Sequence, residues 1–416
     1  NRAEYLEKFL SIGFPARKDE EYKYTNLKEI TEKDYQFTPK IAHTLTQDAI
    51  DGLAFGKDEF DKIVFVNGVF NQELSSISLD KAIFKPLAEA FEDISLRADL
   101  DQYFNKIAHQ DLAFTNLNLA LFTSGFFLKV PKNTVVERPI HLFYLSQNQD
   151  ENTIYNPRNL MIIEAGAKVE VIEHHYNFDE YFTFTNSITE IFVYENAKAD
   201  WHKLQNDTEK AYLIDHIFAK QERDSLATVN TFSFGGKLTR NNLDFIHKGE
   251  NINSFMNGIT VIGGEQLVDH HTAVHHNEPN CESYQNYKGV FDGNSKGVFN
   301  GKVFVDKIAQ KTNAYQQNNN VLLSEGAEIN TKPQLEIFAD DVKCSHGCTV
   351  GQLDADALFY LRARGISKKE ARALLLYAFA NDAMQNIDIE ALRAQVSKLL
   401  ANKLGVDLEV GGLEDE

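Results

Sequence analysis

Between about residue 125 and residue 340 the chain is built from short runs in which apolar and polar residues alternate, and helical spacing largely disappears. Lys168-Val169-Glu170-Val171, Asn242-Leu243-Asp244-Phe245 and Lys302-Val303-Phe304-Val305-Asp306 are of this kind. Successive side chains of a strand point to opposite faces, so this alternation predicts strands with one buried and one wet face. A short phrase recurs among them: Gly166-Ala167-Lys168-Val169, Asn196-Ala197-Lys198-Ala199 and Gly326-Ala327-Glu328-Ile329. A residue that tolerates left-handed backbone, then a small residue, then a strand predicts stacked rungs, a β-helix or solenoid. A jelly roll with similar turns is the alternative.

The flanks read differently. Tyr5, Leu6, Phe9 and Leu10 have helical spacing, which Pro15 ends. The polar, tyrosine-studded stretch that follows reads as a surface linker whose rings lie on a neighbouring domain. Residues 61–73 read as strand and turn, with Asn67-Gly68 as the turn signal, and residues 79–122 are largely helical. Beyond Leu353 three helices are predicted. Asp354 caps the first, Ser367 with Glu370 forms a capping box for the second, and Gly405 stops the third. Three short helices cannot bury their apolar faces among themselves, so they pack on the β region or on another protein. The acidic tail after them is expected to fray. These patterns divide the chain at 1–124, 125–345 and 346–416.

Length supports two or three domains, and 43% hydrophobic residues allow a sizeable core. Charge then excludes one class of partner: 42 Lys and Arg against 61 Asp and Glu leave a net charge of -19, whereas nucleic-acid binders need basic surfaces. No apolar run is long enough to cross a bilayer, and the charged start lacks the apolar core of a signal peptide. Three cysteines make no disulfide framework and suit a reducing compartment, so a cytoplasmic protein without a membrane contact is expected.

Candidate chemistry is sparse. The chain carries no phosphate-binding Gly-x-x-x-x-Gly-Lys-Ser/Thr loop, no dinucleotide fingerprint and no Gly-x-Ser-x-Gly elbow. The densest metal-like run is Asp269-His270-His271-Thr272-Ala273-Val274-His275-His276. On a strand, His271 and His275 share one side while His270 and His276 share the other, and a metal needs three or four converging ligands. His174, His175 and His202 are further candidates. A β-solenoid or cupin-like metalloprotein or metalloenzyme built on residues 270–276 is therefore one reading, and a rung surface or interface is the other.

The second cluster is Ala339–Gly351, ADDVKCSHGCTVG. Cys344 and Cys348 are too far apart for a zinc knuckle, and no second pair completes a four-ligand set. Cys344 and His346 read either as a buried thiol and a hydrogen-bonded imidazole, or as a thiolate held beside an imidazole and suited to soft metals and sulfur species. Asp340 and Asp341 either orient that imidazole, bind a hard cation or are solvated at a strand end.

The stretch TKPQLEIFADDVKCSHGCTVGQLDADALFYLRARGIS, residues 331–367, resembles the C-terminal signature of the SufB/SufD family, scaffold subunits of the SUF iron–sulfur cluster assembly machinery. The likeness extends upstream through residues 296–305 and 309–333, and FPARKDEEYKYTNL at 14–27 is similar to the N-terminal segment of SufD-type subunits. His346-Gly347-Cys348, where SufB-type chains usually read His-Glu-Ala, and Asn318-Asn319-Asn320, where they carry a cysteine, both favour the SufD type. Cys348 departs from the usual alanine and takes no family role. The resemblance implies a mainly β fold, a right-handed parallel β-helix with helical or mixed N-terminal and helical C-terminal domains. It implies a non-catalytic scaffold that pairs with a SufB-like chain through the β-helix and docks a SufC-like ABC ATPase on its C-terminal helices. By match to the CSHG motif, Cys344 and His346 would face the nascent iron–sulfur cluster or iron at the shared interface, with His346 the ligand; no cofactor is expected to be tightly bound by the isolated chain. A homodimer of that chain is a further expectation.

Overall fold

The computed structural model of the chain describes residues 2–56, 59–79, 81–384 and 387–406, and the acidic tail lies outside them. Two ten-stranded sheets face each other. From residue 168 onward the chain visits them alternately, so each strand from Thr183 on pairs in parallel with the one two places earlier. The result is a β-solenoid of about eight turns, preceded and followed by helices, as the alternation and the repeated phrase predict. The first sheet holds, among others, Lys168–Asn177, Lys198–Gln205, Leu226–Ser233, Asn253–Ile262, Glu282–Phe291, Asn313–Leu322 and Lys343–Gly351. The second holds Thr183–Val193, Ala211–Gln221, Leu238–His247, Leu267–His276, Lys296–Val305 and Glu328–Ile337.

Register runs straight along the stack: Lys198 pairs with Leu226, Leu226 with Asn253, Asn253 with Glu282, Glu282 with Asn313, and Asn313 with Lys343. Two residues before the strands at 168, 198, 226, 253, 282 and 313 stand Gly166, Asn196, Asp224, Asn251, Asn280 and Lys311, all with φ between 57° and 70°. The left-handed corner is thus a property of every one of these rungs. Gly326 is different, because it belongs to the opposite corner and does not have that conformation. A Cβ there would lie 2.1 Å from Asn294 Oδ1, so close approach of neighbouring turns requires the glycine.

Alternate residues of each strand fill the interior, among them Val171, Trp201, Met256 and Phe299. The outer face of the first sheet carries Ile172, Leu204, Phe232, Ile259 and Val290, which pack under the helices Lys368–Asn381 and Glu390–Leu404 through Leu376, Leu392, Val396 and Leu400. These two helices therefore bury their apolar faces on the chain's own β region. The helix Ala355–Ala363 does not: none of its residues is buried, and Phe359 is 74% exposed. On the second sheet, Phe184, Tyr212 and Leu238 receive Phe9, Leu27 and Phe114, with Tyr22 and Tyr35 packed against them, which is where the N-terminal tyrosines were expected.

Strands at both ends extend the sheets beyond residues 125–345. The strand Asp61–Val66 pairs in parallel with Ile140–Ser146 and so adds to the first sheet. At the other end the last strand runs on to Gly351. The caps at Asp354, Ser367 and Gly405 form where the pattern places them.

Candidate functional site: the open end of the solenoid

Along Asn313–Leu322 the residues Ala314, Gln316, Asn318 and Asn320 point inward and are buried. Their register partners on the final strand are Cys344, His346, Cys348 and Val350. The same interior face therefore continues into the CSHGC segment, but no further rung covers it. Glu328–Ile337 and Lys343–Gly351 each have a strand on one side only, and neither contains a buried residue. Ile337 at 38% and Val350 at 47% exposure are interior positions left in solvent. A last strand with free N–H and C=O groups beside exposed apolar side chains is a template for further pairing, and among the described residues no further strand takes it up.

Within this end, Cys344 is half-buried against Val303, Ala314 and Ala339, and burial pushes its thiol up. Among the described residues no hydrogen bond joins Cys344 to the His346 imidazole, and desolvation favours the neutral thiol. His346 is exposed, and its side chain makes no hydrogen bond or ion pair with a described residue. Cys348 is exposed, with Sγ 3.4 Å from Thr331 Oγ1 on the facing strand. Asp341 is turned to Lys311 and Gln310 rather than to the imidazole. An unpartnered imidazole with a thiol two residues away on the same face can donate nitrogen and sulfur to a soft or borderline metal, but leaves most of the coordination sphere for other ligands.

The histidine-dense strand does something else. His270 and His276 point inward, to Thr260 and Ser283, and burial lowers both to about 3. His271 and His275 point outward together, as the alternation requires, yet they serve different partners. His275 stacks on Phe304 at 4.6 Å and approaches Asp244 at 3.6 Å. His271 lies between Asp269 at 2.9 Å and Glu21 at 3.1 Å. His174 stacks on His141 on the outside, while His175 is bonded to Glu173 inside. Among the described residues no group of three or more His, Cys, Asp or Glu is arranged to hold a metal ion.

Glu21 explains the N-terminal motif. Its carboxylate accepts from Lys302 and Asn300 and faces His271, its carbonyl accepts from Arg240 Nη1 at 2.8 Å, and the same guanidinium lies 3.8 Å over the Tyr22 ring. Glu20 pairs with Lys332 and Thr25 with Asp269. The hydrogen bond from His271, then that from Lys302, hold the Glu21 carboxyl down at about 2. Residues 20–25 therefore form a strap across four successive strands of the second sheet, ending on Lys332 beside Thr331.

Sequence reasoning passed over one interior feature. Lys203 and Asp215, both fully buried, pair inside the solenoid, and Lys203 also donates to Asn241. The signal was present, since Lys203 shares parity with the inward Ala199 and Trp201.

Comparison with known proteins adds the following. Residues 144–379 match the model described as SUF system FeS cluster assembly, SufBD core domain, and residues 1–142 match the SufBD protein N-terminal region. An iron-sulfur cluster assembly SufBD family protein of Synechocystis is 32% identical over 402 residues, covering 94% of this chain and 88% of its own. The iron-sulfur cluster assembly protein SufD of Escherichia coli is 31% identical over 404 residues, 96% and 92% of the two chains. The protein of the same name from Bacillus subtilis is 27% identical over 97% of this chain and 93% of its own.

Proposed function

The chain belongs to the SufB/SufD family of iron–sulfur cluster assembly proteins, and on that premise we propose that it acts as a SufD-type scaffold subunit rather than as an enzyme. Its open solenoid end meets the corresponding end of a SufB-like chain, and Cys344 and His346 supply this chain's share of the ligands for the cluster, which is cargo and not a resident cofactor. A SufC-like ABC ATPase docks on the C-terminal helices, with the unpacked Ala355–Ala363 helix and its exposed Phe359 and Tyr360 as the contact. The observation that carries the reading is the register of the final strand. It continues the inward face of the solenoid into Cys344, His346 and Cys348, beyond which no further strand is stacked among the described residues.

His346 has the nitrogen free to bind iron, while Cys344 becomes a thiolate only when a metal displaces its proton. Half a coordination shell on an uncapped end is chemically sensible only if a second chain brings the remainder. Assembly into a compartment without a membrane contact fits a chain in which no described helix is long and apolar enough to span one.

Co-expression with a SufB-like and a SufC-like chain tests this. A stable ternary complex is expected, whose iron and sulfide content falls in His346→Ala while far-UV circular dichroism is unchanged. Elution of this chain alone removes the scaffold reading, and unchanged iron removes His346 from it.

A further inference from the structure

Halfway along the stack, on the outer face of the first sheet, lies a second site unrelated to the open end. A cavity of about 250 Å³ is lined by Glu170, Lys198, Asp200, His202, Thr228, Asn230, Phe255, Asn257 and, from the connection before the last helix, Asp388. Register explains the grouping: Glu170, Asp200, Thr228 and Phe255 stand side by side on four adjacent strands, and His202, Asn230 and Asn257 form the next row. Three carboxylates face one ammonium. Lys198 lies 2.9 Å from Asp200 and 3.4 Å from Asp388, which leaves Glu170 without a hydrogen bond or ion pair among the described residues.

One buried polar atom at this cavity has no partner: His202 is 3% exposed and nothing meets its Nε2. Asp200, 6% exposed, has Lys198 and the Thr228 hydroxyl beside its carboxylate. The tautomer follows from the row beneath. Asn257 Nδ2 donates to Asn230 Oδ1 at 2.8 Å, so Asn230 presents Nδ2 to His202 Nδ1 at 3.1 Å, and Nδ1 must accept. Burial keeps this imidazole neutral, lowering it to about 4. Its single proton is then on Nε2, a donor without an acceptor. An unmet buried donor of this kind is costly, at about 1–3 kcal/mol, and a bound molecule relieves it.

We propose that this cavity binds a small organic cation, an ammonium or guanidinium compound that also carries a hydrogen-bond acceptor. The cationic end lies against Glu170 and Asp200, and the acceptor takes the proton of His202 Nε2. Charge favours a cation, because three carboxylates and one lysine leave an excess of two negative charges. Phe255 offers an aromatic wall to the same cation. A bare metal ion does not fit, since no three ligating groups converge. The volume, below the ~300–1,000 Å³ of drug-sized pockets, suits a molecule the size of one amino acid. Burial and the neighbouring Asp200 raise Glu170, and burial raises Asp200, as expected of carboxylates short of positive charge.

Titration calorimetry on the full chain, with 4-guanidinobutyrate as the probe and 4-ureidobutyrate as its isostere without a cation, tests the site. Saturable binding of 4-guanidinobutyrate is expected, with 4-ureidobutyrate at least about tenfold weaker, because the charge-assisted hydrogen bonds are lost. Glu170→Gln, at a half-buried surface position and expected to leave the melting temperature unchanged, should weaken 4-guanidinobutyrate by a similar factor. Absence of saturable binding, equal binding of the two compounds, or binding unaffected by Glu170→Gln overturns the proposal. None of these outcomes depends on partner chains or on the cluster.

Discussion

Replacing Glu21 by Gln removes one charge from the strap and leaves its shape. The carboxyl is held at about 2 against an ordinary 4.5 by His271 and Lys302. At ~1.36 kcal/mol per tenfold, that difference amounts to ~3.4 kcal/mol of preference for the charged form. Glu21 keeps 43% side-chain exposure, so solvent screening reduces the usable part to about 1–2 kcal/mol. The loss is local, because the strap touches the solenoid only from outside. Amide hydrogen exchange of residues 14–27 at neutral pH should therefore quicken about 5–30-fold in Glu21→Gln, while exchange within the interior strands stays as it was. The folded value lies below the unfolded one, so the contribution is fully present above pH 4.5 and is lost as pH falls from 4.5 toward 2. Parent strap exchange should rise across that window relative to the variant's. Exchange within a factor of about two of the parent at neutral pH, where more than fivefold is expected, would refute the account of Glu21 as a clamp.

Three further outcomes can be checked. Asp215→Ala leaves Lys203 charged and unpaired inside the solenoid, which should cost about 3–5 kcal/mol in urea unfolding, whereas the double variant Lys203→Met with Asp215→Leu should recover most of that loss. A thiol reagent on the native chain should label exposed Cys348 first and half-buried Cys344 more slowly. Buried Cys281, pushed up to about 11, should react only on unfolding. Trp201→Ala, which empties a fully buried interior position, should destabilise by about 3–5 kcal/mol in the same unfolding assay.

Legibility differed by feature for reasons of range. Strand alternation, the turn at Gly166 and Asn196 and the helix caps are local, each set by a few adjacent residues, and all were readable. The motif around Cys344 and His346 was legible as a motif, but adjacency in sequence left a buried thiol and an imidazole-assisted thiolate both open. Packing beside Val303 and Ala314, which pushes the thiol up, comes from other rungs. For His271 and His275 the sequence left a metal site and a rung surface both open; they share a face but make separate contacts, because their partners Glu21 and Asp244 come from distant parts of the chain.

By itself, then, the sequence determined the rungs, their left-handed corners, the inward and outward parity of each strand and the capped C-terminal helices. Parity and φ preference act within a few bonds. Only the tertiary structure decided which strands stack, where the stack stops and what it leaves uncovered. It brought Glu21 to His271 across the sheet, Glu170 to His202 across neighbouring rungs, and left Cys344 and His346 as an interior face without a lid. Those are matters of register between segments, and register is fixed by packing and hydrogen bonding over the whole stack rather than by any residue's own preference.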